Sequence, residues 1–199
     1  MSIGGQGGSG QAGWDRLAPV LGPARWRAVT LVSLVVVEGG LAWRLGWTAP
    51  LAAYLLLGAV LTVAAVVDAH SARVPNVLVL PAYPVGIGLL VVGSGIEGQW
   101  WPLGRALVAM VGVAGFYLAL ALVAGGRQMG LGDVTVGGLT GLLLGWVGWP
   151  AVEAGVLLGW AAALVAVFVV RRARRQRRAA IPVVPFLCFG VLVAVLVIR

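Results

Sequence analysis

Two aspartates are the residues of this sequence best placed to do chemistry, because the chain contains only six acidic residues among 199. Asp68 opens a polar segment that runs from residue 68 to residue 76, and Asp133 closes a Gly-x-Gly-Asp sequence at 130–133. Each lies where an apolar stretch meets a loop. A carboxylate close to hydrocarbon is costly, so it is rare and usually functional. If the fold joins the two carboxylates, they can share a proton, so that one activates water while the other polarises a carbonyl.

The residues around the two aspartates predict how the chain turns at each of them. Pro75 must end any helix that carries Asp68, because proline lacks an N–H and restricts the residue before it. Asn76 is then predicted to be the N-cap of the next helix. Gly130 and Gly132 allow unusual backbone angles and the close approach of an extended peptide before the helix that Asp133 begins.

The helix dipole predicts a difference between the two aspartates. Asp133 would begin a helix, where the positive end of the dipole favours the carboxylate, whereas Asp68 would end one, where the negative end favours the protonated form. We therefore expect Asp133 to act more often as the base and Asp68 to hold the shared proton.

The composition indicates that these residues sit in a membrane protein. Hydrophobic residues make up 61% of the chain and charged residues 10%, against about 25% charged in soluble domains. Seven apolar stretches are about long enough to cross a bilayer as helices. They are Ala28–Leu45, Pro50–Val67, Val77–Gly93, Leu103–Ala124, Val134–Trp149, Ala151–Val170 and Ile181–Ile198. The predicted fold is an all-α, polytopic membrane bundle.

The predicted domain organisation has three parts. Residues 1–26 are rich in Gly, Ser and Gln and are expected to form a flexible cytoplasmic tail. Residues 27–48 form a retained anchor helix, and residues 49–199 form a six-helix membrane domain. Cys188 is the single cysteine, so an internal disulfide and a cysteine-rich zinc site are both excluded. No cofactor or metal is expected.

Arginine placement predicts the orientation of the bundle. Eleven of the 14 basic residues fall on the side that holds both aspartates, and Arg44, Arg105 and Arg199 fall on the other. The positive-inside rule then gives a cytoplasmic N-terminus and an outside C-terminus. Tryptophans 43, 47, 100, 101 and 149 cluster at the outer ends, where indole rings favour the interface.

The net charge of +8 does not indicate nucleic-acid binding. The densest basic run, residues 171–178, joins two membrane helices, where it sets the topology and meets anionic lipid head groups. In the fifth helix Gly137, Gly141 and Gly145 share one face, which predicts close contact with a neighbouring helix. None of these sequence features predicts the oligomeric state.

The polar segments resemble a known family. Asp68 followed by Arg73, Pro75 and Asn76, and then Gly130, Gly132 and Asp133, is similar to the bacterial type IV prepilin peptidases, which are aspartyl GxGD membrane proteases. A proline-containing segment with Pro182 and Pro185 at the start of the last helix resembles theirs as well. The resemblance runs from about Pro50 to the C-terminus.

The resemblance implies that Asp68 and Asp133 are the catalytic pair of an aspartic endopeptidase in the bacterial inner membrane. The implied substrates are pilin-like precursors, cut after a short basic leader at the cytoplasmic face. Thr135 stands where the family commonly has a lysine. Because the chain has one cysteine and no cysteine-rich insert, it looks like the short forms that serve Flp/Tad-type or competence-type pili without methyl transfer.

Two other classes of function remain open from the residues. A proton-coupled carrier would use Glu38 and Glu153 to extend a ladder of acids from the two aspartates. A non-catalytic pilus-assembly protein would keep the fold without the activity. His70 could orient Asp68 but is more typical of a surface loop, and Arg73 is expected to pair with lipid phosphate rather than with a substrate carboxylate.

Overall fold

The computed structural model of the protein describes residues 23–71, 74–123, 130–174 and 182–198, and within them seven α-helices are formed. The helices are α1 (Ala24–Leu45), α2 (Leu51–Ser71), α3 (Asn76–Glu97), α4 (Trp101–Val123), α5 (Leu131–Val147), α6 (Trp149–Arg174) and α7 (Val184–Val197). Five of them are long and apolar enough to cross a membrane, and α5 and α7 are shorter. The predicted all-α, polytopic bundle is confirmed.

Several helix bounds differ from the sequence prediction for local reasons. Helix α1 begins at Ala24, so residues 24–26 of the predicted tail are helical, and residues 1–22 lie outside the described part of the chain. Helix α3 continues to Glu97 although it contains two prolines, which membrane helices tolerate. Helix α7 begins only at Val184 with a proline as its second residue, a position where the missing N–H costs no helical hydrogen bond.

Helix α5 occupies the centre of the bundle. Every residue from Val136 to Trp146 is buried, and α2, α3, α4, α6 and α7 all contact the helix. A helix of 17 residues is shorter than the roughly 20 needed to cross the hydrocarbon. Since its neighbours surround it, α5 meets protein rather than lipid along most of its length.

The glycine face of α5 brings α4 into direct contact, as the spacing predicts. A Cβ atom on Gly141 would lie 2.6 Å from the carbonyl oxygen of Ala109, and one on Gly145 would lie 2.6 Å from the Cβ of Ala109. A Cβ on Gly137 would lie 2.5 Å from the ring of Tyr117. The three glycines therefore remove side-chain volume where the two helices pack, and the side chains of α4 fill that space.

Successive helices run in opposite directions, so the bundle has two distinct ends. At the end that carries Asp68 and Asp133, which we call the aspartate end, the Trp26 ring meets the His70 ring edge-on at 4.9 Å. At the opposite end, Glu97 Oε1 accepts a hydrogen bond from the N–H of Ala49 at 3.2 Å. The exposed tryptophans 43, 47, 100, 101 and 149 all belong to this second end, which we call the tryptophan end.

Two arginines at the tryptophan end bind the carboxyl ends of the two shorter helices. Arg105 of α4 donates to the carbonyl oxygens of Gly145, at 2.6 Å, and Trp146. Arg44 of α1 donates to the carbonyl oxygen of Ile198 at 2.9 Å. The last carbonyls of a helix lack helical partners, so these two arginines stabilise the ends of α5 and α7.

The packing of α4 on α5 generates a prediction about glycine substitutions. We expect Gly141→Ala to lower the free energy of unfolding by about 1–3 kcal/mol, because the added methyl group meets the backbone of Ala109. Gly95→Ala is the matched control, since a Cβ at Gly95 has no atom within 4 Å. Denaturant titration of the purified protein in detergent measures both. Equal stability of the two variants would contradict this account of the interface.

Candidate active site

Asp68 lies in the last turn of α2 and is buried, with 4% of its surface exposed. Its Oδ2 atom accepts a hydrogen bond from the N–H of Val184 at 3.1 Å. The N–H of Val183 also faces this carboxylate. Proline has no N–H, so Val183 and Val184 supply the only two backbone donors of the segment from Pro182 to Pro185, and both point towards Asp68. This contact gives the proline-containing segment a physical role in the site.

Asp133 is the third residue of α5 and is half-buried. Its Oδ2 atom accepts a hydrogen bond from the N–H of Gly130 at 3.1 Å, and its own N–H donates to the Gly130 carbonyl oxygen at 3.0 Å. The two bonds close the first turn of α5, whose N–H groups otherwise lack helical partners. Asp133 thus holds the Gly-x-Gly segment in a fixed conformation.

The fold brings the two aspartate segments into contact. Val74, two residues before Asn76, packs directly on Gly132, where an added Cβ atom would lie 2.6 Å from the Cβ of Val74. The Asp68 and Asp133 carboxylates are near enough for their charges to act on each other. Residues 65 positions apart in the sequence therefore form one site at the aspartate end.

Thr135 joins the two segments through its hydroxyl. Its Oγ1 atom donates to the Gly132 carbonyl oxygen at 2.8 Å and lies 3.5 Å from the Oδ1 atom of Asn76. Tyr83 of α3 donates to the carbonyl oxygen of Thr135 at 2.5 Å. The prediction that Asn76 is the N-cap of α3 was wrong by one residue: Pro75 holds that position, and the Asn76 side chain faces Thr135 instead.

The remaining candidate residues are placed as follows. His70 is exposed in the last turn of α2 and contacts Trp26. Arg73 lies outside the described residues.

The Glu38 carboxyl oxygens are buried against Gly58 of α2, without a hydrogen-bond partner in the described part of the chain. Glu153 lines a cleft between α4 and α6. Glu38 and Glu153 thus lie at different helix interfaces, which does not favour one ladder of acids.

The prediction that Asp133 is the base considered only the dipole of the helix that carries each aspartate. Asp68 does end its own helix, but it faces the first N–H group of α7 as well. Both carboxylates therefore lie at the positive end of a helix dipole, Asp68 at that of α7 and Asp133 at that of α5. Helix position alone no longer assigns one of them as the base.

Sequence reasoning missed residues that act through their backbone or their shape. Val184 contributes an N–H group and Val74 contributes a surface that fits Gly132, and neither role has a side-chain signature. The position of Val184 between two prolines was the one available signal. Tyr117 was also missed, although a tyrosine in an apolar helix carries a polar group that needs an explanation.

These observations define a polytopic membrane protein with a paired-carboxylate site at one end of a helical bundle. The sequence matches the type IV leader peptidase family over residues 55–198, and the chain belongs to that family. The resemblance seen in the motifs is therefore confirmed. The matched region contains both aspartates and begins after α1.

Two curated relatives carry the same description. A prepilin leader peptidase/N-methyltransferase of Pseudomonas putida is 32% identical over 171 residues, which cover 83% of this chain and 55% of the relative. One from Stutzerimonas stutzeri is 27% identical over 164 residues, which cover 81% of this chain and 55% of the relative. The chain thus spans about half the length of the curated relatives it matches. No solved structure matches it.

The contact between Val74 and Gly132 generates a prediction about the joining of the two segments. We expect Gly132→Ala to lower the free energy of unfolding by about 1–3 kcal/mol, because the new methyl group overlaps Val74. In a Val74→Gly background the same substitution should cost much less, and the double-mutant cycle measures this coupling. Gly130→Ala is the control, since its nearest neighbouring atom would be 3.8 Å away. Additive effects of the two substitutions would show that the segments do not meet in this way.

Proposed function

We propose that this protein is a membrane aspartic endopeptidase that removes the short basic leader from type IV prepilins or pseudopilins. The observation that carries the proposal is the contact between the segments of Asp68 and Asp133, where Val74 packs on Gly132, within a chain that belongs to the type IV leader peptidase family. Both relatives are named for the same activity together with methyl transfer. We propose the peptidase activity alone. With a single cysteine, the sequence resembles the short forms of the family, which lack the cysteine-rich insert and do not transfer methyl groups.

The proposed chemistry uses the carboxylates of Asp68 and Asp133 as a pair that shares one proton. The ionised carboxylate takes a proton from a water molecule, whose oxygen attacks the scissile carbonyl carbon. The protonated carboxyl donates a hydrogen bond to the carbonyl oxygen and stabilises the negative charge that develops there. Proton transfer to the leaving nitrogen then breaks the C–N bond. The backbone donors at Val184 and Gly130 orient one oxygen of each carboxylate during these steps.

A membrane-inserted substrate is easier to cleave at the boundary of the membrane than at its centre. A membrane helix hides its amides in internal hydrogen bonds, so cleavage needs local unwinding and water, and both are easier near the membrane surface. The two aspartates lie at one end of the bundle, which we propose faces the cytoplasm. Small Flp/Tad-like or competence-type pilins are the proposed substrates, and anionic lipid head groups would meet the arginines of the same face.

The proposed orientation agrees with the roles of the arginines at the tryptophan end. Arg44 and Arg105 are two of the three basic residues predicted to lie outside, and both donate to helix carbonyl groups. Their placement therefore has a structural reason that is independent of the positive-inside rule. The other end keeps the excess of arginines that the rule assigns to the cytoplasm.

The catalytic assignment predicts the effect of two conservative substitutions. We expect Asp68→Asn and Asp133→Asn each to reduce leader cleavage by at least about 10²-fold, because an amide cannot exchange the proton that the reaction needs. Asparagine keeps an oxygen that can accept the hydrogen bond of Val184 or Gly130, so both variants should insert and fold. Co-expression with a candidate prepilin, followed by a gel shift for leader removal, measures the effect.

Glu38→Gln is the matched control for these two variants. Glu38 lies in the middle of α1, away from both aspartate segments, so cleavage should stay close to that of the wild type. Normal pilin maturation by either asparagine variant would remove the catalytic assignment. Loss of cleavage in Glu38→Gln would favour the carrier hypothesis instead.

The proposed orientation predicts which positions react with a membrane-impermeant thiol reagent added to intact cells. In a Cys188→Ala background, cysteines at Thr48 and Gln99 should be labelled, because both side chains are exposed at the tryptophan end. Cysteines at Ser71 and Arg172, which are exposed at the aspartate end, should be labelled only after the membrane is opened. The reverse pattern would place the site on the outside and contradict cleavage at the cytoplasmic face.

A further inference from the structure

An apolar cleft of about 420 Å³ opens between α4 and α6 on the outer surface of the bundle. Its lining residues are apolar except for one acid: Gly112, Val113, Phe116, Val152, Glu153, Val156 and Leu157. Phe116 and Leu157 are exposed, so the cleft faces the lipid. A Cβ atom on Gly112 would have no neighbour within 4 Å. This glycine therefore has no packing partner, unlike those between α4 and α5.

A pair of stacked aromatic rings lies one helical turn from the cleft, on the side of the aspartate end. Tyr117 follows Val113 by four residues on α4, and Trp160 follows Val156 by four on α6, so each shares a helix face with a residue of the cleft. The two rings stack with centroids 6.3 Å apart and an interplanar angle of 21°. Since α4 and α6 run in the same direction, the pair lies between the cleft and the aspartates.

The polar groups of this pair are buried without good hydrogen bonds. The Tyr117 hydroxyl and the Trp160 indole N–H lie beside each other, yet neither makes a hydrogen bond of normal geometry in the described part of the chain. Buried polar groups are nearly always bonded, and leaving one unpaired is costly. Tyr54, which is also fully buried, does bond, to the Leu143 carbonyl oxygen at 2.7 Å. Tyr117 and Trp160 therefore have no acceptor beyond each other in the described part of the chain, which leaves the pair able to bind a hydrogen-bond acceptor as a ligand.

The position of the pair indicates the chemistry of that ligand. The Tyr117 ring rests on Gly137, one turn from Asp133, and its hydroxyl is within electrostatic reach of the Asp133 carboxylate. Two neighbouring donors beside a carboxylate suit a hydrogen-bond acceptor. Unwinding a helix at membrane depth frees carbonyl oxygens that have no water to bind. Such carbonyls are the acceptors that a cleavable membrane helix brings to this position.

We propose that the cleft between α4 and α6 receives the apolar helix of the substrate, and that Tyr117 and Trp160 donate hydrogen bonds to the carbonyl groups freed where this helix unwinds. The inference rests on the proposed peptidase function and extends it to the path of the substrate. Gly112 favours a helix over a lipid chain as the occupant, because a glycine lets a second backbone come close. Phe116 and Leu157 then provide apolar contact on either side.

Site-specific photo-crosslinking tests the cleft. A benzophenone amino acid at Leu157 in the Asp133→Asn protein, which we expect to hold its substrate uncut, should crosslink a co-expressed prepilin. The same probe at Val92 of α3, which is similarly exposed, is the control and should crosslink it at least fivefold less, since it faces lipid elsewhere. Equal crosslinking from the two positions, or crosslinks only to lipid, would overturn the docking site.

Tyr117→Phe tests the donors, because it removes only the hydroxyl. We expect it to lower the cleavage rate about three- to tenfold, the loss of one hydrogen bond, while the Leu157 probe still crosslinks prepilin. Tyr54→Phe, the same change at another fully buried tyrosine, should leave cleavage per folded molecule unchanged. Wild-type rates in Tyr117→Phe would overturn the donor role.

Failure of the wild type to cleave any prepilin would remove the proposed function, whereas cleavage without crosslinks at Leu157 would remove this inference alone.

Discussion

Helices that end inside a bilayer leave backbone N–H and C=O groups where no water can bind them, and the architecture of this protein depends on how those groups are satisfied. Helices α5 and α7 have 17 and 14 residues. At 1.5 Å per residue they are about 25 and 21 Å long, short of a hydrocarbon core of about 30 Å. Each meets an aspartate at its amino end and an arginine at its carboxyl end. Asp133 and Arg105 bind backbone groups at the two ends of α5, and Asp68 and Arg44 do so at the two ends of α7.

The two proposed catalytic carboxylates are therefore also structural parts of the fold. Asp68 ties the start of α7 to the end of α2, and Asp133 closes the first turn of α5. Each is held by backbone groups rather than by mobile side chains, which fixes its position without adding a competing charge. Rigid support of this kind is what a reacting group needs when its geometry decides the rate. The same bonds offset part of the cost of keeping a carboxylate near hydrocarbon.

The sequence was sufficient for those features that have a repeated or chemical signature. Apolar runs predicted the seven helices of the described residues, and the four-residue spacing of Gly137, Gly141 and Gly145 predicted their contact with α4. The motif residues directed attention to Asp68 and Asp133 as partners. What the sequence could not predict are contacts made by a backbone atom or by shape, such as the Val184 N–H and the fit of Val74 on Gly132. The stacking of Tyr117 on Trp160 depends on α4 and α6 lying side by side, which no local pattern encodes.

The bond between Arg44 and Ile198 has a consequence for how the protein can be divided. The family match begins at residue 55, so α1 lies outside it, as an independent membrane anchor would. Yet Arg44 comes from α1, and the carbonyl it binds lies at the far end of the chain. A truncated protein that starts after α1 would keep every residue of the matched region and still lose this bond at the carboxyl end of α7. The other end of that helix holds Asp68 in place, so the appended helix and the reacting carboxylate are mechanically joined through α7.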